Sequence, residues 1–162
     1  MVIRDFKRGD EEFCAAIYAY YVSASTVSFE EKVLSSEEFL LRAEKIAERY
    51  PYLVAENDGK VLGYAYLYEF GERSAYRFCA DLSVYVESGS RGKGIGETLV
   101  REIERRAKDM GITEIVSVIT GENAVSMRFH EKMGYKFKGK LDKVGCKFGR
   151  WLDVCFYQKE IK

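Results

Sequence analysis

The sequence predicts a mixed α/β fold of the α+β type: a central, mostly antiparallel twisted sheet flanked by about four helices. Three observations carry this expectation. Apolar residues recur at helical spacing in two early segments, a turn signal joins two apolar runs, and a glycine-rich stretch hands a strand over to a helix.

The elements follow in order. "MVIRDF" reads as a strand, and a helix is expected from about Asp10, where Phe13, Ile17, Tyr20 and Tyr21 recur at helical spacing. "STVSFEEK" is a polar connection. A second helix starts at Ser35, where Ser35 and Glu38 form a capping box. Its apolar stripe is Phe39, Ala43, Ile46, Ala47 and Tyr50, and Pro51 ends it. "YLVAE", a turn at "NDGK" and "VLGYAYLYEF" predict a hairpin. "AYRFCADLSVYVE" predicts one long strand with mixed faces, and "RGKGIG" leads from it into a helix bearing Leu99, Ile103 and Ala107 on one side. "ITEIVSVIT" is nearly continuous in apolar residues, as expected of a strand covered on both faces. A short helix from about Ala124 to Met133 ends at Gly134, a left-handed cap, and the remaining chain predicts two strands.

Repeats, low-complexity tracts and linkers are absent, so one domain is expected over residues 1–162. Lys+Arg and Asp+Glu both number 26, and this balance argues against a nucleic-acid partner. The charged start "MVIRDFKRGDEEF" contains no apolar run long enough for a signal peptide or a membrane span. Cys14, Cys79, Cys146 and Cys155 stand far apart with no CxxC pair, which suits neither zinc nor a disulfide scaffold. Buried free thiols in a reducing cytoplasm are the simplest expectation, with no metal.

Chemistry is concentrated at two places. In Arg91-Gly92-Lys93-Gly94-Ile95-Gly96 the glycines let the backbone curl and turn several N–H groups toward one point. The helix entered there adds favourable potential for a phosphate or pyrophosphate, and Arg91 and Lys93 can assist. The spacing is neither GxGxxG nor GxxxxGK[ST]. A plain connecting turn would read the same way. The second place is "NAVSMRFHEKMGY", which holds His130, the only histidine. Asn123 and His130 are seven positions apart, so a helix returns them to nearly the same face.

"VYVESGSRGKGIGETLV" followed by "NAVSMRFHEKMGY" resembles the GNAT superfamily of N-acetyltransferases, whose pyrophosphate loop has the form R/Q-x-x-G-x-G/A. "RYPYLVAE", "GYAY" and above all "VGCKFGRWLDVCFYQ" resemble its phosphinothricin and methionine sulfoximine acetyltransferase subgroup, over nearly the whole chain.

The resemblance implies acetyl-CoA as co-substrate and a small amino-acid-like amine as acceptor. The alternatives are a protein or peptide N-terminal acetyltransferase of the same fold and, in another class, a CoA-binding regulatory module without chemistry. It also implies a homodimer. The cofactor would be held by backbone amides of Val84, Tyr85 and Val86, by the loop from Arg91 through Gly92, Lys93, Gly94, Ile95 and Gly96 to Glu97, and by Asn123. The amides would stabilise the oxyanion. Asp81 would accept the amine proton, although the subgroup carries glutamate there, and a relaying water suits the shorter side chain. His130 stands where most of the superfamily has a tyrosine and would assist proton delivery to the thiolate, the two groups being able to exchange or share these roles. A thiolate basicity of about 8.5 and an imidazole pKa of about 6.5 permit this. Ser83 shares the Asp81 face of the strand by alternation. Arg73, with Arg77 in reserve, would meet the acceptor's acid group, and Phe29 would lie near the substrate mouth or staple its loop to the core. Lys147, Arg150 and Trp151 would either close the pocket or form a dimer contact.

Overall fold

A computed structural model describes residues 1–162. The elements are β1 (Val2–Asp5), α1 (Glu11–Ala24), α2 (Ser36–Ala47), β2 (Tyr52–Asn57), β3 (Lys60–Glu69), β4 (Cys79–Val86), α3 (Ile95–Asp109), β5 (Glu114–Thr120), α4 (Ala124–Lys132), β6 (Lys136–Lys147) and β7 (Arg150–Glu160). The seven strands form one sheet in the order β1-β2-β3-β4-β5-β7-β6. Every neighbouring pair is antiparallel except β4 and β5. The predicted mixed, mostly antiparallel architecture with four helices is the one observed.

Strand alternation divides the core. Leu53 and Ala55 of β2 pack with Leu99, Ile103 and Ala107 of α3, while Tyr52 and Val54 pack with Cys14, Tyr18 and Phe39 of α1 and α2. The second face is unusually aromatic: Tyr64 stacks with Tyr66 and tilts against Tyr85, Tyr66 stacks with Tyr52, and Tyr18 and Tyr21 meet Tyr85 edge-on.

Local signals decide most boundaries. Ser35 accepts from the Glu38 amide while the Glu38 carboxylate accepts from the Ser35 amide, closing the capping box of α2. Asp58 and Gly59 both take positive φ, the geometry of a two-residue hairpin turn matched to strand twist. Gly134 at φ 91° ends α4.

Four expectations need correction. Ile17 and Tyr21 of the expected α1 stripe are buried, but Phe13 and Tyr20 face outward, and Cys14, Tyr18 and Val22 complete the buried face instead. Similarly, only Phe39 and Ala43 of the α2 stripe are buried, with Ala47 exposed. The long strand expected from Ala75 begins only at Cys79. Residues Ser74–Tyr76 form a 3₁₀ turn instead, because β3 ends at Glu69, opposite Ala80, and leaves the preceding residues no ladder to join. Of the four free cysteines, Cys14 and Cys155 are buried, whereas Cys146 is exposed because β6 is an edge strand.

Candidate active site

The site originates in a fork. β4 and β5 pair over only Cys79↔Glu114, Ala80↔Ile115 and Asp81↔Val116, then part. β4 remains paired with β3 to Val86. The Glu87 amide donates to the Leu62 carbonyl at 2.8 Å, so by alternation the Tyr85 amide also faces β3 and the Val84 and Val86 amides face the fork. Of the three amides expected to serve the cofactor, two are therefore aimed at the opening. The Tyr85 side chain instead joins the aromatic face. Within the fork, the Tyr21 hydroxyl donates to the Val86 carbonyl at 2.6 Å, in place of the partner strand that is missing there.

A cleft of about 440 Å³ opens from the fork, lined by Val84, Val86, the glycine loop and Asn123. Gly92 and Gly94 sit at φ 75° and 80°, conformations that disfavour any side chain. Gly94 is the N-cap of α3 and supplies no side-chain cap, so the helix's first N–H groups remain available to an anion. Glu97 in this first turn is neutralised by Arg101 and Lys132, each at 2.9 Å, which hold its carboxyl below the usual range. The Arg91 guanidinium lies over the rings of Tyr20 and Tyr21, 5.3 and 5.1 Å from their centroids. Lys93 lies outside the cleft lining and donates to the Gly89 carbonyl. A helix end with uncapped N–H groups opening into a largely apolar cleft suits a pantetheine thioester with a pyrophosphate.

At the inner end of the cleft, a slot of about 60 Å³ lies between β4 and β5, with Ser83, Val84, Ser117 and His130 among its walls. Asn123 caps α4 by accepting from the Ser126 amide at 3.1 Å and lines both cleft and slot. His130, 3% exposed, places Nδ1 2.8 Å from the Ser126 carbonyl. A carbonyl only accepts, so Nδ1 carries the proton and Nε2 is the basic nitrogen. Nε2 has no partner. Burial lowers the imidazole's affinity for a second proton, partly offset by the Ser126 carbonyl.

Asp81 lies at the base of the fork on the opposite, aromatic face, with Ser83 and Tyr85, as alternation predicts. It is 9% exposed, and Oδ1 lacks a partner. Burial pushes its pKa up to about 7, against a downward pull from Tyr68, its register partner on β3. The two titratable groups thus stand on opposite faces of one opening.

The expected acceptor residues are less closely gathered. Arg73 is exposed and caps the 3₁₀ turn before β4, and Arg77 stacks on Phe78 at 4.3 Å. Phe29 packs its ring on Gly145, where a Cβ would collide with it, so it staples the α1–α2 connection to β6. Lys147, 1% exposed, is part of the same clamp. Arg150 pairs with Glu122 at 2.9 and 3.0 Å, and Glu122 also accepts from Thr26 at 2.6 Å. Lys147 and Arg150 thereby fasten the roof of the slot, while Trp151 is 68% exposed. Two residues of the site carry little sequence signal of their place in it. Tyr21 reads only as part of a core stripe. Ser117 is the single hydroxyl within the apolar run "IVSVI", and that contrast is the one clue the chain offers.

The chain matches the acetyltransferase (GNAT) family over residues 14–135. It is 38% identical over 162 residues to a phosphinothricin N-acetyltransferase of Alcaligenes faecalis, spanning 99% of this chain and 81% of that protein. Identity to the L-methionine sulfoximine/L-methionine sulfone acetyltransferase of Salmonella typhimurium is 31%, spanning 99% and 95%. A crystal structure of a phosphinothricin acetyltransferase from Sinorhizobium meliloti in complex with acetyl-CoA superposes with a TM-score of 0.94 at 36% identity, over 99% of this chain and 88% of that one. The chain belongs to the GNAT family of acetyltransferases. It is an acetyl-CoA-dependent N-acetyltransferase.

Proposed function

We propose that the protein acetylates the primary amine of a small amino-acid-like compound of the phosphinothricin, methionine sulfoximine or methionine sulfone type. The observation that carries this reading is the fork itself, with outward-turned amides, a basic imidazole on one side and a buried carboxyl on the other. The relatives' activities supply the acceptor class.

The bound co-substrate supplies an activated acetyl group as a thioester. Gly94 and the first turn of α3 hold the pyrophosphate, and Arg91 adds its charge at the rim. The Val84 and Val86 amides hold the negative charge that develops on the carbonyl oxygen during attack. Asp81, titrating at about 7, accepts the first proton from the incoming ammonium. His130 starts neutral, so it cannot begin as the acid. Nε2 takes the second proton from the attacking nitrogen and passes it to the departing sulfur. Across the two transfers one proton reaches the sulfur, one is left on Asp81 for solvent, and an amide and a thiol remain. Arg73, at the loop before β4, meets the acceptor's acid group.

A homodimer is part of this reading. Phe137, Leu141, Val144, Phe148 and Trp151 are exposed on β6, β7 and their turn, an apolar set that suits a second copy. A cytoplasmic location fits four unpaired thiols. The test of function is a mass-spectrometric acceptor screen with acetyl-CoA across sulfoximine, sulfone and phosphinic amino acids, ordinary amino acids and short peptides. Acetylation of the first group with peptides untouched is expected. Peptide acetylation alone would overturn the proposal in favour of an N-terminal acetyltransferase.

A further inference from the structure

The slot between β4 and β5 contains an uncompensated pair of polar groups. Ser117 projects from β5 on the α3 side of the sheet, the parity of Ile115 and Ile119, and is 1% exposed. Its Oγ has no hydrogen-bond partner, and neither has Nε2 of His130. Both residues line the same slot of about 60 Å³, and no direct hydrogen bond joins them. An unpartnered buried hydroxyl costs about 1–3 kcal/mol, so two orphaned groups facing one cavity call for a shared partner. The slot has ample room for a water, which needs only about 10–15 Å³ and two to four polar partners.

We propose that Ser117 and His130 Nε2 together hold a water in this slot, and that this water conducts protons between Nε2 and the reacting atoms. Ser117 is then a positioning residue that acts through the water. The proposal rests on the acetyl-transfer reading above for its role, though the water site stands without it. In the forward step the attacking nitrogen gives a proton to the water, which passes one of its own to Nε2. In the return step Nε2–H gives a proton to the water, which delivers one to the sulfur. The water is regenerated each time, and no other reactant is consumed.

The charges around the imidazole leave this path clear. Tyr135 and Tyr157 pack their rings 5.2 and 6.4 Å away, and Tyr85 lies across the slot. On α4 itself, Glu131 accepts from the Tyr157 hydroxyl and Lys132 pairs with Glu97, so both are engaged elsewhere. Ser126 holds Nδ1.

His130 is the only histidine, so ¹⁵N-histidine labelling gives a single pair of imidazole resonances in the intact protein. Titrating the unmodified chain should show the Nδ1–H tautomer, with Nε2 shifted as a hydrogen-bond acceptor. Ser117→Ala should move the Nε2 resonance toward that of an unbonded nitrogen. It should also lower turnover about tenfold, the equivalent of one hydrogen bond, with the KM for acetyl-CoA unchanged. Ser117→Thr, which keeps the hydroxyl on a β-branched side chain, should restore both. An Nε2–H tautomer in the unmodified protein, or an Nε2 resonance and pH profile indifferent to Ser117→Ala, overturns the proposal. The resonances are read without acceptor, so failure of the acceptor screen leaves them standing, and restoration by Ser117→Thr separates loss of the hydroxyl from misfolding of the alanine variant.

Discussion

Lys147 Nζ donates to the carbonyls of Ser25 at 2.9 Å and Ser28 at 2.7 Å, so a buried ammonium from the end of β6 holds the chain leaving α1. That connection contributes Val27 to both the cleft and the slot. The lysine therefore bears on the cleft through the shape of its roof.

Lys147→Met keeps the stem volume and removes the donors, leaving two carbonyls unsatisfied. We expect a loss of about 2 kcal/mol in unfolding free energy and a raised KM for acetyl-CoA. Denaturant melts and steady-state kinetics read the two effects. An unchanged melt would refute the clamp.

Asp81 predicts opposite effects on activity and stability. Its folded pKa of about 7 lies above the ordinary aspartate value of 3.8. Activity that needs the carboxylate rises with pH through about 7. The folded state holds the proton more tightly than the unfolded one, so the stability associated with this group is fully present below about 4 and lost as pH rises through about 7. Asp81→Asn should abolish the acid limb of the pH–rate profile and depress turnover. At about pH 8 it should raise the melting temperature by several degrees. Paired pH–rate curves, with thermal scans on either side of the folded pKa, test both signs.

Gly94 at φ 80° disfavours a side chain by about 1–2 kcal/mol. Gly94→Ala should weaken acetyl-CoA binding roughly tenfold by displacing the first amides of α3, while acceptor KM stays constant. Calorimetric titration with acetyl-CoA measures it directly. Unaltered affinity would mean that this turn only connects β4 to α3.

Arg73 is exposed and enters no salt bridge in the fold, so Arg73→Ala should leave the melting temperature unchanged. The KM for an acidic amino-acid acceptor should rise about tenfold or more, with acetyl-CoA KM constant. Equal acceptor KM in the two proteins would remove Arg73 from the site.

Local rules make much of the fold legible. The capping box at Ser35, the Asp58-Gly59 turn, Gly134 and the helical period of Leu99, Ile103 and Ala107 each depend on neighbours within a few positions. The glycine loop is readable for the same reason, since glycines and a helix start are contiguous. The α1 stripe matches its expected place only at Ile17 and Tyr21, because an aromatic-rich helix offers several apolar faces, and packing against the aromatic face of the sheet brings in Cys14 and Tyr18 in place of Phe13 and Tyr20.

Element order, the glycine turn and the choice of Asp81 and His130 as candidate titratable groups therefore follow from the chain and its family resemblance. Where those two groups stand is a matter of long-range packing. The parting of β4 from β5 after Asp81↔Val116 depends on pairing between strands that α3 separates in the chain. That parting aims the Val84 and Val86 amides into the opening, brings Ser117 into one slot with His130 and sets Asp81 on the other face. Burial, a property of the assembled layers, then raises one pKa and lowers the other.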